Sequence, residues 1–268
     1  MSAVFELDDV TVIRSGKKLL DSVSWTVRAG EHWVVIGPNG AGKTTLMQIL
    51  GASLHPTSGR VRILDETLGQ VDVFELRTRI GHTSTVVSER IPARESVRNV
   101  VLSAAYAVVG RWNEEYDEHD FGRVDQLLAE LGIASLADRT FGTLSEGEKK
   151  RVLIARALMT DPEAVLLDEP GAGLDLGARE DLLASLDVLS SDPAGAAFVL
   201  VTHHVEEIPQ GFTHALVLAE GKVIGRGPLR EVLTSDVLSN AFGQRLELRE
   251  DRGRFTARRQ PAARRAAS

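Results

Sequence analysis

Over the first thirty positions apolar and polar residues alternate, with Val4, Val10 and Val12 followed by Val23, Trp25 and Val27. A period of two predicts two short strands, here joined by a turn at Ser15-Gly16. His32-Trp33-Val34-Val35-Ile36 is a compact apolar run suited to a buried strand, and a Gly-rich loop follows it. Residues 45–50 predict a helix stopped by Gly51, and further strands are expected over 60–64 and 80–85.

From about 93 to 160 the period lengthens. Val97, Val100 and Val101, then Val124, Leu127, Leu128 and Leu131, recur at helical spacing, with a charged stretch over 111–120 dividing two helical parts. Strand-like runs return at 164–167, 197–201 and 214–218, with a helical stretch over 176–189 between the first two. Strands alternating with helices predict an α/β fold with a mainly parallel sheet covered by helices. Its N-terminal portion is antiparallel β, and a helical subdomain at about 90–160 is inserted between the early and late strands. No internal repeat is present.

Composition narrows the setting. The chain has 268 residues, no cysteine and a formal net charge of -7. Disulfides, thiolate metal sites and a cysteine nucleophile are excluded. No apolar run approaches the roughly 18–20 residues that span a bilayer, and MSAVFELDD lacks a signal-peptide pattern, so a soluble, cytoplasmic protein is expected. An acidic total argues against direct nucleic-acid binding. The charge is uneven: residues 249–268 hold seven arginines against Glu250 and Asp251, a balance of +5, which leaves -12 on the first 248. With one Phe and no apolar periodicity, this basic tail reads as disordered, and truncation after Leu248 is expected to leave activity intact.

Gly37-Pro38-Asn39-Gly40-Ala41-Gly42-Lys43-Thr44 fits G-x-x-x-x-G-K-[ST], placed after a predicted strand and opening a predicted helix. Such a P-loop turns backbone N–H groups toward phosphate oxygens, and the helix N-terminus favours anionic charge. Gly37, Asn39, Gly40, Ala41, Gly42, Lys43, Thr44 and Thr45 are therefore the candidate nucleotide-binding residues. Lys43 would neutralise β- and γ-phosphate charge, and the Thr44 hydroxyl would hold Mg²⁺. In Ala164-Val165-Leu166-Leu167-Asp168-Glu169-Pro170, two carboxylates emerge at the end of a buried strand. Asp168 suits Mg²⁺, and Glu169 suits orienting or deprotonating an attacking water. Between them, Ser145 and Glu148 have the spacing of a capping box that opens a helix. A Ser-capped helix start with a glycine is also an anion site.

LSEGEKKR, from Leu144 to Arg151, resembles the LSGGQ signature of ATP-binding-cassette (ABC) ATPases, and the other motifs follow in that family's order. Ala172-Gly173-Leu174-Asp175 is similar to the D-loop, and Val201-Thr202-His203 to the switch-histidine segment. The resemblance covers residues 4–233. It implies a P-loop NTPase core, ATP and Mg²⁺ as ligands, and His203 beside Glu169 at the γ-phosphate. Ser145, Gly147, Glu148 and Asp175 would meet nucleotide across a subunit boundary, because the family binds it between one subunit's P-loop and another's signature. One P-loop and one signature per chain imply a homodimer, or a heterodimer with a similar ATPase subunit.

Some positions depart from the family pattern. Arg14 stands where an aromatic usually covers adenine, and its guanidinium plane can stack on the base. Ser84 or Thr85 falls where a Gln normally reaches Mg²⁺ and water. Glu146 and Glu148 replace a Gly and a Gln of the signature. His204 adjoins His203, but neighbours on a strand point to opposite faces, so shared metal ligation is not expected. His32, His55, His82, His119 and His214 read as structural.

Two function classes follow from the resemblance. One is the ATPase subunit of a transporter, held on the cytoplasmic membrane face by a separate transmembrane permease subunit. Residues 96–101, THHVEEIP and ARALM resemble importers near the molybdate and metal-chelate type. The other is a soluble ABC ATPase that remodels a protein or nucleic-acid complex.

Overall fold

The computed structural model describes residues 2–83, 85–106, 116–192 and 195–260. Strands β1 (Ala3–Arg14) and β2 (Lys17–Arg28) pair antiparallel, with Arg14 opposite Lys17 and Val12 opposite Leu20. Ser15 and Gly16 between them both have positive φ, 50° and 75°, as a two-residue hairpin turn of matching twist requires. β3 (Trp33–Ile36) leads away to the second sheet. β4 (Ser58–Ile63) and β5 (Glu66–Thr67) then complete a four-stranded antiparallel sheet in the order β2-β1-β4-β5.

The second sheet contains β3, β6 (Ile80–Thr83), β7 (Ala164–Asp168), β8 (Ala197–Thr202), β9 (His214–Ala219) and β10 (Lys222–Pro228). Its order is β10-β9-β3-β8-β7-β6, and every neighbouring pair except β9–β10 runs parallel. Helix α1 (Lys43–Leu50) follows β3, and α2 (Val73–Thr78) precedes β6. Among the described residues, four α-helices stand between β6 and β7: α3 (Thr85–Arg90), α4 (Val97–Leu102), α5 (Glu118–Glu130) and α6 (Glu146–Leu158). α7 (Leu176–Leu189) precedes β8, while α8 (Leu229–Val232) and α9 (Ser235–Phe242) follow β10.

Successive residues of the central strands enter opposite cores. Val34, Val165, Leu167, Phe198 and Leu200 pack with α4, α5, α6 and α7, whereas Val35, Leu166, Val199 and Leu218 pack with the antiparallel sheet and α1. Burial on both faces is why β3 and β7 read as unbroken apolar runs. The fold is the expected α/β arrangement: a mainly parallel P-loop core, an antiparallel N-terminal sheet and an inserted helical block. No described helix is long and apolar enough to cross a membrane.

The expectation of a disordered tail from Arg249 is corrected. β11 (Leu246–Asp251) and β12 (Arg254–Arg259) form a hairpin around Arg252 and Gly253, both at positive φ. Phe255, the tail's single aromatic, is only 4% exposed and joins the helical-side core. The arginine surplus concealed this fold, because part of its charge is paired: Arg249 with Glu247 and Arg254 with Glu180, while Glu250 takes Arg230. Residues 261–268 lie outside the described residues.

Candidate functional site

The loop from Gly37 to Gly42 leaves the C-terminal end of β3 and is pinned by close backbone approaches. A Cβ on Gly37 would lie 2.1 Å from the Leu218 carbonyl oxygen. Gly42, the N-cap of α1, has φ 104°, and a Cβ there would meet the Leu19 carbonyl at 2.6 Å. The β9–β10 turn supports the loop from outside, as the Gly221 N–H donates to the Ala41 carbonyl at 3.1 Å. No side chain caps α1 and no acidic residue stands in its first turn, so the amides at its start are free of side-chain acceptors. That is the donor set a polyphosphate fits.

Lys43 is buried, and its ammonium donates to the carbonyls of Gly37 at 2.7 Å and Pro38 at 3.0 Å. Two of its three protons are thus committed to holding the side chain inside the loop's curve, leaving one to donate. Burial lowers its pKa, opposed by the negative charge of Glu169 and Asp168. Asn39, Gly40 and Thr44 are exposed, whereas Gly37, Ala41 and Thr45 are buried. Arg14 is exposed at the end of β1, near the part of β2 whose Leu19 and Leu20 touch Gly42.

Asp168 ends β7, one residue before Glu169. Burial and the adjoining Glu169 raise the Asp168 pKa, against the pull of Lys43 and Lys150. Glu169 has φ 45°, a sparsely populated region for a non-glycine, and its N–H still donates to Val201 on β8 at 2.9 Å. Its Oε1 lies 3.1 Å from His203 Nδ1. The C-terminal ends of β3, β7 and β8 therefore bring Lys43, Asp168, Glu169 and His203 to one end of the sheet. The His203 and His204 rings lie 4.1 Å apart, centroid to centroid. The opposite-faces expectation fails because β8 ends at Thr202, before either histidine.

Beneath these residues lies a buried polar pair that the sequence did not single out. Thr202 Oγ1 donates a short hydrogen bond to Glu207 Oε2 and accepts from the His204 N–H. Glu207 also abuts the turn after Glu169: a Cβ on Gly171 would lie 2.7 Å from its carboxyl carbon. The sequence offered only a second carboxylate in THHVEEIP, with nothing to mark it as buried. Lys150 carries no distinguishing mark in the sequence either. It lines a small cavity of about 70 Å³ with Asp168, Thr83 and Ser88.

The signature segment starts α6 as the capping box predicts. Ser145 Oγ accepts from the Glu148 N–H at 3.3 Å, and Glu148 Oε2 accepts from the Ser145 N–H at 2.7 Å. That bond, with Arg139 nearby, holds the Glu148 carboxyl below its usual range. Ser145 and Glu146 are exposed, whereas Gly147 is buried against α7, where a Cβ would lie 2.7 Å from Ala178 Cβ. Asp175 is the N-cap of α7, accepting from the Ala178 N–H at 2.8 Å. Signature and D-loop thus form one packed corner, with Leu176 68% exposed beside it. Ser84 and the Thr85 side chain lie outside the described residues.

The ABC transporter family model matches residues 20–172, from within β2 to the start of the D-loop. The chain belongs to the ABC transporter family. This ABC ATPase, an ATP-binding and ATP-hydrolysing protein, is 41% identical over 243 residues to the ABC transporter ATP-binding protein YlmA of Bacillus subtilis, covering 89% of this chain and 90% of that one. It is 35% identical over 249 residues to the cobalt import ATP-binding protein CbiO of Rhodobacter capsulatus, covering 92% and 86%. Among solved structures it resembles the cassette MJ0796, a dimer in a post-hydrolysis state bound to ADP and Pi. The TM-score there is 0.70 at 27% identity, with 84% of this chain and 99% of that one covered.

Proposed function

We propose that this ABC ATPase dimerises head to tail around ATP and Mg²⁺ and powers import through a separate transmembrane subunit on the cytoplasmic membrane face. The observation that carries the chemistry is the convergence of Lys43, Asp168, Glu169 and His203, with Glu169 and His203 3.1 Å apart. Free amides at the start of α1, the remaining Lys43 proton and the Thr44 hydroxyl hold the triphosphate. Asp168 and Thr44 hold Mg²⁺, which when bound screens the charge on the β- and γ-phosphates. Glu169 takes a proton from the attacking water, and His203 orients the γ-phosphate, so that water and ATP become ADP and phosphate.

Dimerisation is supported by the exposed corner formed by Ser145, Glu146, Asp175 and Leu176, and by the dimeric state of the MJ0796 cassette. In this reading Ser145 Oγ, the Gly147 amide and the helix start at Glu148 face the partner's nucleotide. The Glu148 carboxylate, engaged by the Ser145 amide, faces away from it. Asp175 stands at the subunit boundary, and Arg14 covers the base. Import is supported by the relation to a cobalt import protein, and a separate membrane subunit by the likeness to a cbiO1 cassette that is part of the cbiONQ transporter complex.

Glu169→Gln should reduce steady-state hydrolysis at least 100-fold while retaining ATP binding, and should shift the chain to dimer in size-exclusion chromatography with ATP. Purified from detergent-solubilised membranes, the trapped dimer should bring down a multi-span membrane protein. Recovery of ribosomes or DNA instead would overturn the transport reading, and a monomer with ATP bound would overturn the head-to-tail site.

A further inference from the structure

The C-terminal hairpin meets the segment after His203 through the Arg254 side chain and two backbone groups. Arg254 makes two parallel hydrogen bonds to the Glu180 carboxylate on α7, at 2.9 and 3.1 Å, and a third to the Glu206 carbonyl at 3.0 Å. Glu206 is three residues beyond His203. Its carboxylate is held by the same hairpin, accepting from the Ala257 N–H at 3.1 Å. Further along this segment, Gln210 donates to the Arg252 carbonyl at 3.1 Å. On the other side of the segment, Glu207 bonds Thr202 and abuts Gly171, two residues after Glu169. The stretch from Thr202 to Gln210 is therefore gripped between the hairpin and the turn that carries Glu169.

We propose that Arg254 is a positioning residue for ATP hydrolysis: it fastens the loop bearing His203 to the helix that begins at Asp175, and so sets His203 against Glu169. The exposed ion pair with Glu180 alone contributes little stability. A planar fork that joins α7 and a loop carbonyl fixes direction as well as distance, which a point charge does not. Through α7 the tie extends to the signature, because Gly147 of α6 rests on Ala178, two residues before Glu180 on the same helix. Hydrolysis is sensitive to such placement, since a 1 Å displacement of a reacting group costs up to about a hundredfold in rate. Family resemblance assigns the hairpin no part in this, as the motifs end before it.

The inference rests on the reading of His203 as a γ-phosphate contact, so the test measures His203→Ala, Arg254→Ala, Arg254→Lys and Glu180→Ala in the full-length chain. Arg254→Ala should lower kcat about tenfold. MgATP affinity in the Glu169→Gln background and the melting temperature should stay at wild-type values. Arg254→Lys should recover part of the rate. Arg254→Ala/Glu180→Ala should be no slower than Arg254→Ala, as members of one tie are not additive. Wild-type kcat in Arg254→Ala, with His203→Ala inactive, overturns the positioning role alone. A kcat loss that tracks a fall in melting temperature across the variants overturns it too, leaving a purely structural contact. If His203→Ala retains turnover, the underlying reading of the switch histidine fails instead.

Discussion

At the residue scale the site sets unlike charges against burial. Asp168 is held near Glu169 in a partly buried position that favours its protonated form, and Lys43 is buried with only part of its charge offset. Because the folded Asp168 pKa lies above its unfolded value, the associated stability is present below the unfolded carboxylate pKa and is lost as pH rises through the folded one. Asp168→Asn has no such loss. Without nucleotide it should melt above the wild type at pH 7, with the gap closing as pH falls toward the carboxylate range. Thermal melts across pH check this, and a constant gap would contradict it. The same substitution should abolish Mg²⁺-dependent stabilisation by ATP. Gly37→Ala acts in the opposite sense. Its Cβ collides with the Leu218 carbonyl, so it should destabilise the fold by about 1–3 kcal/mol and weaken ATP binding.

At the element scale the decisive contact is between the starts of α6 and α7. Gly147→Ala should force these helices apart at a cost of about 1–3 kcal/mol, and Ala178→Gly in the same chain should restore most of it, as read by urea unfolding. An equal loss in single and double variants would place the cost elsewhere. Elements whose signals are contiguous were legible in the sequence: the 176–189 helix, the Ser145–Glu148 cap and the strand ending in Asp168-Glu169. So was the hairpin at Ser15-Gly16, because that turn states its own backbone requirement. The Arg252-Gly253 turn states the same requirement, but it stood in a charged stretch whose partners, Glu180 for Arg254 and Arg230 for Glu250, are distant in sequence. Thr202 and Glu207 were illegible for a related reason: a hydroxyl and a carboxylate beside polar neighbours look solvated until the fold joins them and brings Gly171 against Glu207. The extended-strand geometry assumed for His203 and His204 failed because both stand beyond the apolar run over 197–201 that marks the strand, so its alternation does not extend to them.

At the scale of the whole molecule, the chain's end is part of its catalytic architecture. Truncation after Leu248 removes Phe255 and Arg254, so it should cost about 3 kcal/mol in unfolding free energy from the lost aromatic burial, with turnover falling as well. Denaturant midpoints and steady-state ATPase rates measure the two effects separately. This reverses the expectation drawn from composition, in which the basic tail was dispensable. Charge sums cannot distinguish a solvated arginine from one forked onto a carboxylate.

The strand order carries a consequence for how the protein is made. β3 lies between β8 and β9, and at its base His32 accepts a hydrogen bond from Phe198, 166 residues later. At synthesis rates of about 5–20 residues per second, the strand that leads into the P-loop waits roughly 10–30 seconds for its neighbours to emerge from the ribosome. Until then it is an apolar segment with both edges unpaired, the kind of exposed strand that chaperones shield. ATP therefore cannot assist the early folding of this chain, because the pocket that binds it does not exist until β8 and β9 have been made.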